Sequence, residues 1–327
     1  MAIIIGCSGS TGSSLLKTIL NRHSQIFAGP ETCLFAYPSV YKNWELEKNK
    51  LLDDILTDGW VIRKGVNLLQ TEYGWQEVEL KQLLQKSTSF QVFVTNFFQK
   101  SLTEKHKTVW IEKTPVNAYG FQAFLDNYPT GKVIQIIRNP YDTIASLMAR
   151  GMNAYYATGY YVYNTAIATS SYKHPSYYQL KYEDLVADPI ATLLQLCEFL
   201  QLPFEEEIVT AKHEQRSEPT TMKGWQHHET DAVVSSSIGR FQQMEEREKK
   251  LVHAAIDSFS IAPDFLKRHK ILFSNCRELC KHLGYPYATE IPSNYALVLR
   301  SYQWKNKLSR WRFGGKRTWQ KYPGKLL

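Results

Sequence analysis

The chain opens on an apolar run at residues 2–5, then a Gly- and Ser-rich turn at 6–12, then SSLLKTILNRH, where Leu15, Leu16, Ile19 and Leu20 recur at helical spacing. Strand, small-residue loop and helix in that order open an α/β nucleotide-binding unit. Three helical stretches rich in aromatic residues follow within 41–106: WELEKNKLLDDIL, WQEVELKQLLQ and SFQVFVTNFFQKSL. A strand is expected at 108–111, a helix after Pro115, and a strong strand at 132–137 (KVIQII) running into RNPYD and a helix from Thr143. YYQLKY predicts another strand and DPIATLLQLCEFL another helix; 205–240 is polar and loop-rich, and 241–260 and 274–283 are helical. Strands alternating with helices imply a parallel sheet whose ligand sits at the strands' C-terminal ends. The expected fold is therefore α/β: a three-layer α/β/α parallel sheet with a P-loop-like phosphate-binding loop and a helical cap. Its domain spans 1–290, with 41–106 as the cap insertion over the acceptor.

Composition changes the picture little until its distribution is considered. With 43% hydrophobic and 21% charged residues among 327, the chain is globular in character. No apolar run is long enough to span a membrane, and the opening MAIIIGCSGS lacks the basic lead-in and cleavage site of a signal peptide. Five cysteines, an odd number without a CxxC pair, indicate neither a disulfide framework nor a zinc ribbon. The expectation is a reducing, cytoplasmic setting. The net charge of +8 is unevenly placed: nine basic side chains fall within 300–327 and no acidic one follows Glu290, leaving 30 basic against 31 acidic residues elsewhere. The chain reads as a neutral body with a cationic tail, 291–327.

Residues 6–14, Gly-Cys-Ser-Gly-Ser-Thr-Gly-Ser-Ser, have the composition to wrap a phosphate, because glycines admit close backbone approach and the next helix offers its positive end. A tight strand-to-helix turn is the bland alternative. A Walker A loop would carry Lys where Ser13 stands, and a Walker B strand would end in a Mg²⁺-binding Asp where KVIQII meets Arg138. ATP or GTP hydrolysis is thereby disfavoured.

GCSGSTGSSLLKTILNRHSQIFAGPET, followed by WIEKTP and IIRNPYDTIAS, resembles the sulfotransferases that use 3′-phosphoadenosine 5′-phosphosulfate (PAPS), in the branch containing tyrosylprotein sulfotransferases and bacterial relatives. The likeness covers residues 2–245. It implies that Ser10, Thr11, Gly12, Ser13 and Ser14 bind the 5′-phosphosulfate, and that Arg138 and Ser146 hold the 3′-phosphate. Arg supplies a planar fork for phosphate oxygens and Ser a hydroxyl. It further implies Glu31 as general base, accepting the acceptor's proton, and Lys113 as the ammonium that meets charge on the leaving phosphate. Tyr182 corresponds to a tyrosine near the adenosine, and Arg240 lies in IGRF, a late loop closing over the nucleotide. Relatives commonly carry Arg or Lys just before the loop's Ser-Gly-Thr segment. Ser10 stands there, so the load passes to Lys113 or to another cation. His227 and His228 have no acidic or Cys partner at metal spacing, and no metal is implied.

Tyr155, Tyr156, Tyr160, Tyr161 and Tyr163 crowd one stretch, either as an acceptor cleft or as structural packing. In the tail, Leu297, Trp304, Leu308 and Trp311 form one helical stripe flanked by cations, as in an interfacial anchor. Its rivals are a helix docked on the body through its Trp face, an acidic-polymer clamp and a nucleic-acid contact. The reading is a PAPS-dependent sulfotransferase acting on an acceptor hydroxyl or amine of a glycan, lipid or small molecule. It is cytoplasmic, with residues 295–325 facing an anionic membrane surface and no nucleic acid partner. The alternatives are a P-loop kinase and a non-catalytic peripheral membrane or nucleotide-binding protein.

Overall fold

The computed structural model describes residues 1–36, 38–57, 62–63, 66–210 and 238–288, together with Tyr295, Val298, Arg300 and Ser301. The expectations for Leu297, Trp304, Leu308, Trp311, His227 and His228 fall outside the described residues.

The strands are β1 (Ala2–Gly6), β2 (Ile26–Ala28), β3 (Ile62–Arg63), β4 (Val66–Asn67), β5 (Val109–Lys113), β6 (Lys132–Ile137) and β7 (Tyr177–Lys181). Five of them form one sheet in the order β2-β5-β1-β6-β7, with every pairing parallel; β3 and β4 pair antiparallel apart from it. The register sets Ile5 beside Lys113 on one side and Gly6 beside Gln135 on the other. Because the strands run the same way, their C-terminal ends line one edge.

The helices in chain order are α1 (Ser13–Leu20), α2 (Ser39–Lys42), α3 (Trp44–Thr57), α4 (Leu68–Tyr73), α5 (Glu77–Lys86), α6 (Phe90–Glu104) and α7 (Phe121–Asn127). After β6 come α8 (Pro140–Ala149), α9 (Ala154–Thr169), α10 (Tyr182–Ala187), α11 (Pro189–Leu200) and α12 (Glu207–Thr210). The described chain then adds α13 (Glu246–Ser258), α14 (Pro263–His269) and α15 (Cys276–Leu283). Side-chain alternation on the strands divides the core between two faces. Ile3, Ile5 and Ile111 pack with Leu16, Ile19 and Leu20 of α1 and with Leu193, Leu196 and Leu200 of α11. On the other face Ile4, Trp110 and Val133 meet the aromatic side chains of α6, α7 and α9. Phe98 of α6 stacks on Trp110 at 4.3 Å between ring centroids, so α6 lies flat on the sheet as part of that layer.

Local chemistry explains the helix starts nearest the edge. Asn139 caps α8 by accepting from the Tyr141 N–H at 2.9 Å, with Pro140 in the first turn. The helix therefore begins three residues before Thr143. Pro115 instead starts a 3₁₀ turn through Gly120, and α7 follows it. The tail's first described residues, Tyr295 and Val298, pack against Ala154, Leu251, Ala254 and Ala255 of α9 and α13. Among the described residues no helix is long and apolar enough to cross a membrane.

Candidate active site

The strands' C-terminal ends deliver the candidate residues to one edge. β1 leads into the loop 7–12, β2 into Glu31, β5 ends on Lys113, β6 hands over to Arg138, and β7 to Tyr182. Of the predicted set, the structure brings together two groups.

The first group is Lys113, Glu31 and Ser14. The Lys113 ammonium makes a close ion pair with Glu31 Oε1 and donates to Ser14 Oγ at 3.2 Å. Lys113 is 4% exposed at the side chain and Glu31 21%, so the carboxylate, rather than the ammonium, is open to an incoming molecule. The loop around them is held by its own hydroxyls. Thr11 Oγ1 donates to the Ser8 carbonyl at 2.9 Å, which commits that hydroxyl to loop shape. Burial pushes the Cys7 thiol up, and hydrogen bonds with Ser13 and Thr11 oppose the rise, which engages the Ser13 side chain as well. Ser10 and Gly12 have φ of 67° and 93°, the left-handed geometry that turns successive N–H groups inward. A Cβ on Gly12 would fall 2.4 Å from the Tyr182 ring, so only glycine lets that ring seat against the loop. Ser10 Oγ is buried with no hydrogen-bond partner.

The second group is Arg138, Ser146 and Arg240. Ser146 Oγ accepts from Arg138 at 3.4 Å and from Arg240 at 3.0 Å. Arg138 also donates to the Ser10 carbonyl at 2.9 Å, joining the two groups, and its guanidinium lies 5.1 Å from the Tyr182 ring centroid. Tyr182 is the first residue of α10, wedged between loop and arginine. Burial lowers the Arg138 pKa, while the charge of Asp142 raises it.

Two contributors escaped the sequence reading. Asp142 accepts from the Gly239 and Phe241 N–H groups, each at 2.9 Å, and so clamps the loop that carries Arg240. Arg150 ends α8 four residues beyond Ser146, on the same helical face. Burial and then the like charges of Arg240 and Arg138 push its pKa down, which sets a third guanidinium in this neighbourhood. Its spacing from Ser146 was the available signal. Tyr160 of α9 lies against the loop, its ring 3.2 Å from where a Gly9 Cβ would stand. Burial raises its pKa, with Tyr156, Cys7 and Glu31 adding to the rise. The other tyrosines divide. Tyr161 is fully packed and donates to the Arg138 carbonyl at 3.3 Å, while Tyr155 and Tyr163 pack on Phe259. Among the described residues no cluster of His, Cys, Asp and Glu is assembled to hold a metal.

The sequence model of the sulfotransferase family matches residues 2–206. Among curated proteins no sequence matches the chain. The fold is similar to the sulfotransferase domain from the curacin biosynthetic pathway, at 20% identity and a TM-score of 0.50, over 89% of this chain and 98% of that one. The sulfotransferase domain from the Synechococcus PCC 7002 olefin synthase aligns at 18% identity and a TM-score of 0.49, covering 88% and 95%. The mouse sulfotransferase SULT7A1 complexed with PAP aligns at 10% identity and 0.39, covering 82% and 88%. With its family match extending over more than half its length, the chain belongs to the sulfotransferase family.

Proposed function

We propose that this sulfotransferase moves a sulfonate from PAPS to an acceptor hydroxyl or amine, with Glu31 as base. The observation that carries the reading is the pairing, on one sheet edge, of a lysine–carboxylate–hydroxyl group with a separate arginine–hydroxyl group joined to it through Ser10. The residues suit such a ligand. Ser10 Oγ is an unused buried polar atom in the loop, and the guanidinium groups of Arg138, Arg240 and Arg150 around Ser146 suit a dianionic phosphate. When bound, PAPS supplies an activated sulfonate joined to phosphate through one bridging oxygen.

Each residue then has one task. Arg138, Ser146, Arg240 and Arg150 hold the 3′-phosphate, Tyr182 flanks the adenosine, and Ser10, Gly12 and Ser14 with the loop N–H groups hold the 5′ side. Glu31 takes the proton from the acceptor as its oxygen or nitrogen attacks sulfur. Lys113 leaves its contact with Glu31 to neutralise the charge that develops on the departing phosphate oxygen. Tyr156 and Tyr160 border the acceptor beside Glu31, and the helices of 41–106 cover it. The cationic tail serves as an electrostatic contact with an anionic surface.

Calorimetry with 3′,5′-phosphoadenosine against ATP tests the central claim. The expected result is binding of 3′,5′-phosphoadenosine well above that of ATP, weakened at least about 30-fold by Arg138→Ala, which removes a buried charged donor. Equal binding of ATP, with no effect of Arg138→Ala, overturns the reading. Glu31→Gln is expected to abolish most turnover while retaining nucleotide affinity, and wild-type turnover would eliminate Glu31 as the base.

A further inference from the structure

Glu112 has no exposed surface, although it is a carboxylate in the middle of an aromatic layer. It precedes Lys113 on β5, and strand alternation sends the two side chains to opposite faces. Its carboxylate accepts from the Thr32 N–H at 2.8 Å and the Thr32 hydroxyl at 3.0 Å. It also accepts from the Thr114 hydroxyl at 2.6 Å and from the Asn117 amide. That amide reaches on to the Ile5 carbonyl at 3.2 Å, at the end of β1 just before the loop. The Thr114 hydroxyl in turn accepts from the Cys33 N–H at 3.2 Å. One buried carboxylate thereby ties together three segments: the turn after β2, the end of β5, and the end of β1.

The turn after β2 needs such a tie. Cys33 has φ of 58°, a left-handed geometry that costs a non-glycine residue on the order of 1 kcal/mol or more and persists only where its surroundings impose it. Its N–H donates to Thr114, its chain neighbour is Thr32, and both of these threonines bond to Glu112. A buried carboxylate is costly unless several donors satisfy it, and an ionised one offers about four acceptor sites. Here the Thr32 N–H and the Asn117 Nδ2 group are the donors that meet it, so the acceptor form fits the site.

We infer that Glu112 is a positioning residue for Glu31: it fixes the Thr32 peptide, and through it the place where the Glu31 carboxylate stands against Lys113 and the acceptor. The inference rests on the reading in which Glu31 takes the acceptor's proton, and it adds a carboxylate that never touches either substrate. A displacement near 1 Å of a reacting group can cost on the order of 100-fold in rate.

The test is a double-variant comparison. Glu112→Gln preserves side-chain volume and one acceptor oxygen, but sets an N–H₂ group against the Asn117 amide, so the turn loosens. The expected result is a fall in kcat of about 10- to 100-fold, with acceptor KM and the Kd of 3′,5′-phosphoadenosine changed by no more than about threefold. In a Glu31→Gln background the same change should cost no more than about twofold, because its effect runs through Glu31. A role confined to folding would cost the same in both backgrounds. Thr32→Val deletes a single hydroxyl from the network and serves where Glu112→Gln fails to fold, with the same pattern expected at smaller size. Full kcat in Glu112→Gln or in Thr32→Val, or equal losses in both backgrounds, overturns the positioning role while leaving Glu31 as base. Wild-type turnover in Glu31→Gln alone overturns the base reading and this inference with it.

Discussion

A buried carboxylate has a thermodynamic signature as well as a kinetic one. Burial pushes the Glu112 carboxyl above its ordinary value of 4.5, and the bonds from Asn117, Thr114 and Thr32 only partly oppose that. The folded chain therefore holds this proton to higher pH than the unfolded chain does. Between 4.5 and the raised value the unfolded state binds fewer protons, so the contribution of Glu112 to unfolding free energy declines as pH rises. Glu112→Gln removes that contribution. The expected outcome is a melting temperature that falls less steeply for the variant than for the wild type from pH 4.5 upward, read by thermal melts across the range. Parallel curves would mean that Glu112 titrates alike in both states. At this scale, legibility followed sequence distance and motif. Ser10 to Ser14, Lys113, Arg138 and Ser146 stood in compact runs, and the structure gathers them. Asp142 was passed over because its partners, the Gly239 and Phe241 N–H groups, lie 97 and 99 residues away, and nothing in RNPYD announces them. Glu112 was hidden by its own strand, where a carboxylate beside Lys113 in WIEK reads as an alternation break rather than as a hub.

Among the elements, those with clean periodicity were the legible ones. Strand β6 occupies the same six residues that the apolar run KVIQII marks, and α6 matches its aromatic stretch within two residues at either end. By contrast β2 is three residues, IFA, too short for any pattern. In α9 the buried residues occur all round the helix, so no polar face signals where it turns. Helix α6 also had a second meaning that periodicity could not carry. Phe93, Phe97 and Phe98 are each fully buried, and Phe98 is sandwiched between Trp110, at 4.3 Å, and Phe97, at 5.1 Å. The element that 41–106 contributes is thus seated on the strand that ends in Lys113. Phe98→Ala is expected to cost about 3–5 kcal/mol of stability, the range for an aromatic removed from a closed core, measured by denaturant unfolding. Because α6 rests on β5, the loss should also reduce turnover in protein that remains folded. A destabilisation under about 1 kcal/mol would mean that the layer closes over the gap and that α6 is loosely joined to the sheet.

For the whole molecule, the edge chemistry and the net charge are separate matters. Lys113 is paired with Glu31, Arg138 approaches Asp142 at 4.0 Å, and the 30 basic side chains outside 300–327, those of the site included, are balanced by 31 acidic ones. The surplus belongs to the tail, where residues 302–327 carry eight Lys and Arg side chains and no Asp or Glu. Tyr295 and Val298 pack on Ala154, Leu251 and Ala255, which determines where the tail can be cut without disturbing the body. A chain ending at Ser301 retains that contact and loses the charge. If the tail meets an anionic surface, each cation near it contributes about 1 kcal/mol of attraction that decays within a Debye length of about 10 Å at 0.1 M salt. Full-length protein is then expected to float with phosphatidylserine-containing vesicles at 0.1 M salt and to be released at 0.5 M. The chain ending at Ser301 should stay with the soluble fraction at both while keeping its affinity for 3′,5′-phosphoadenosine. Equal flotation of the two chains would remove the surface from the reading and leave the tail's cations to the acceptor, in which case the shortened chain should show a raised acceptor KM with kcat unchanged.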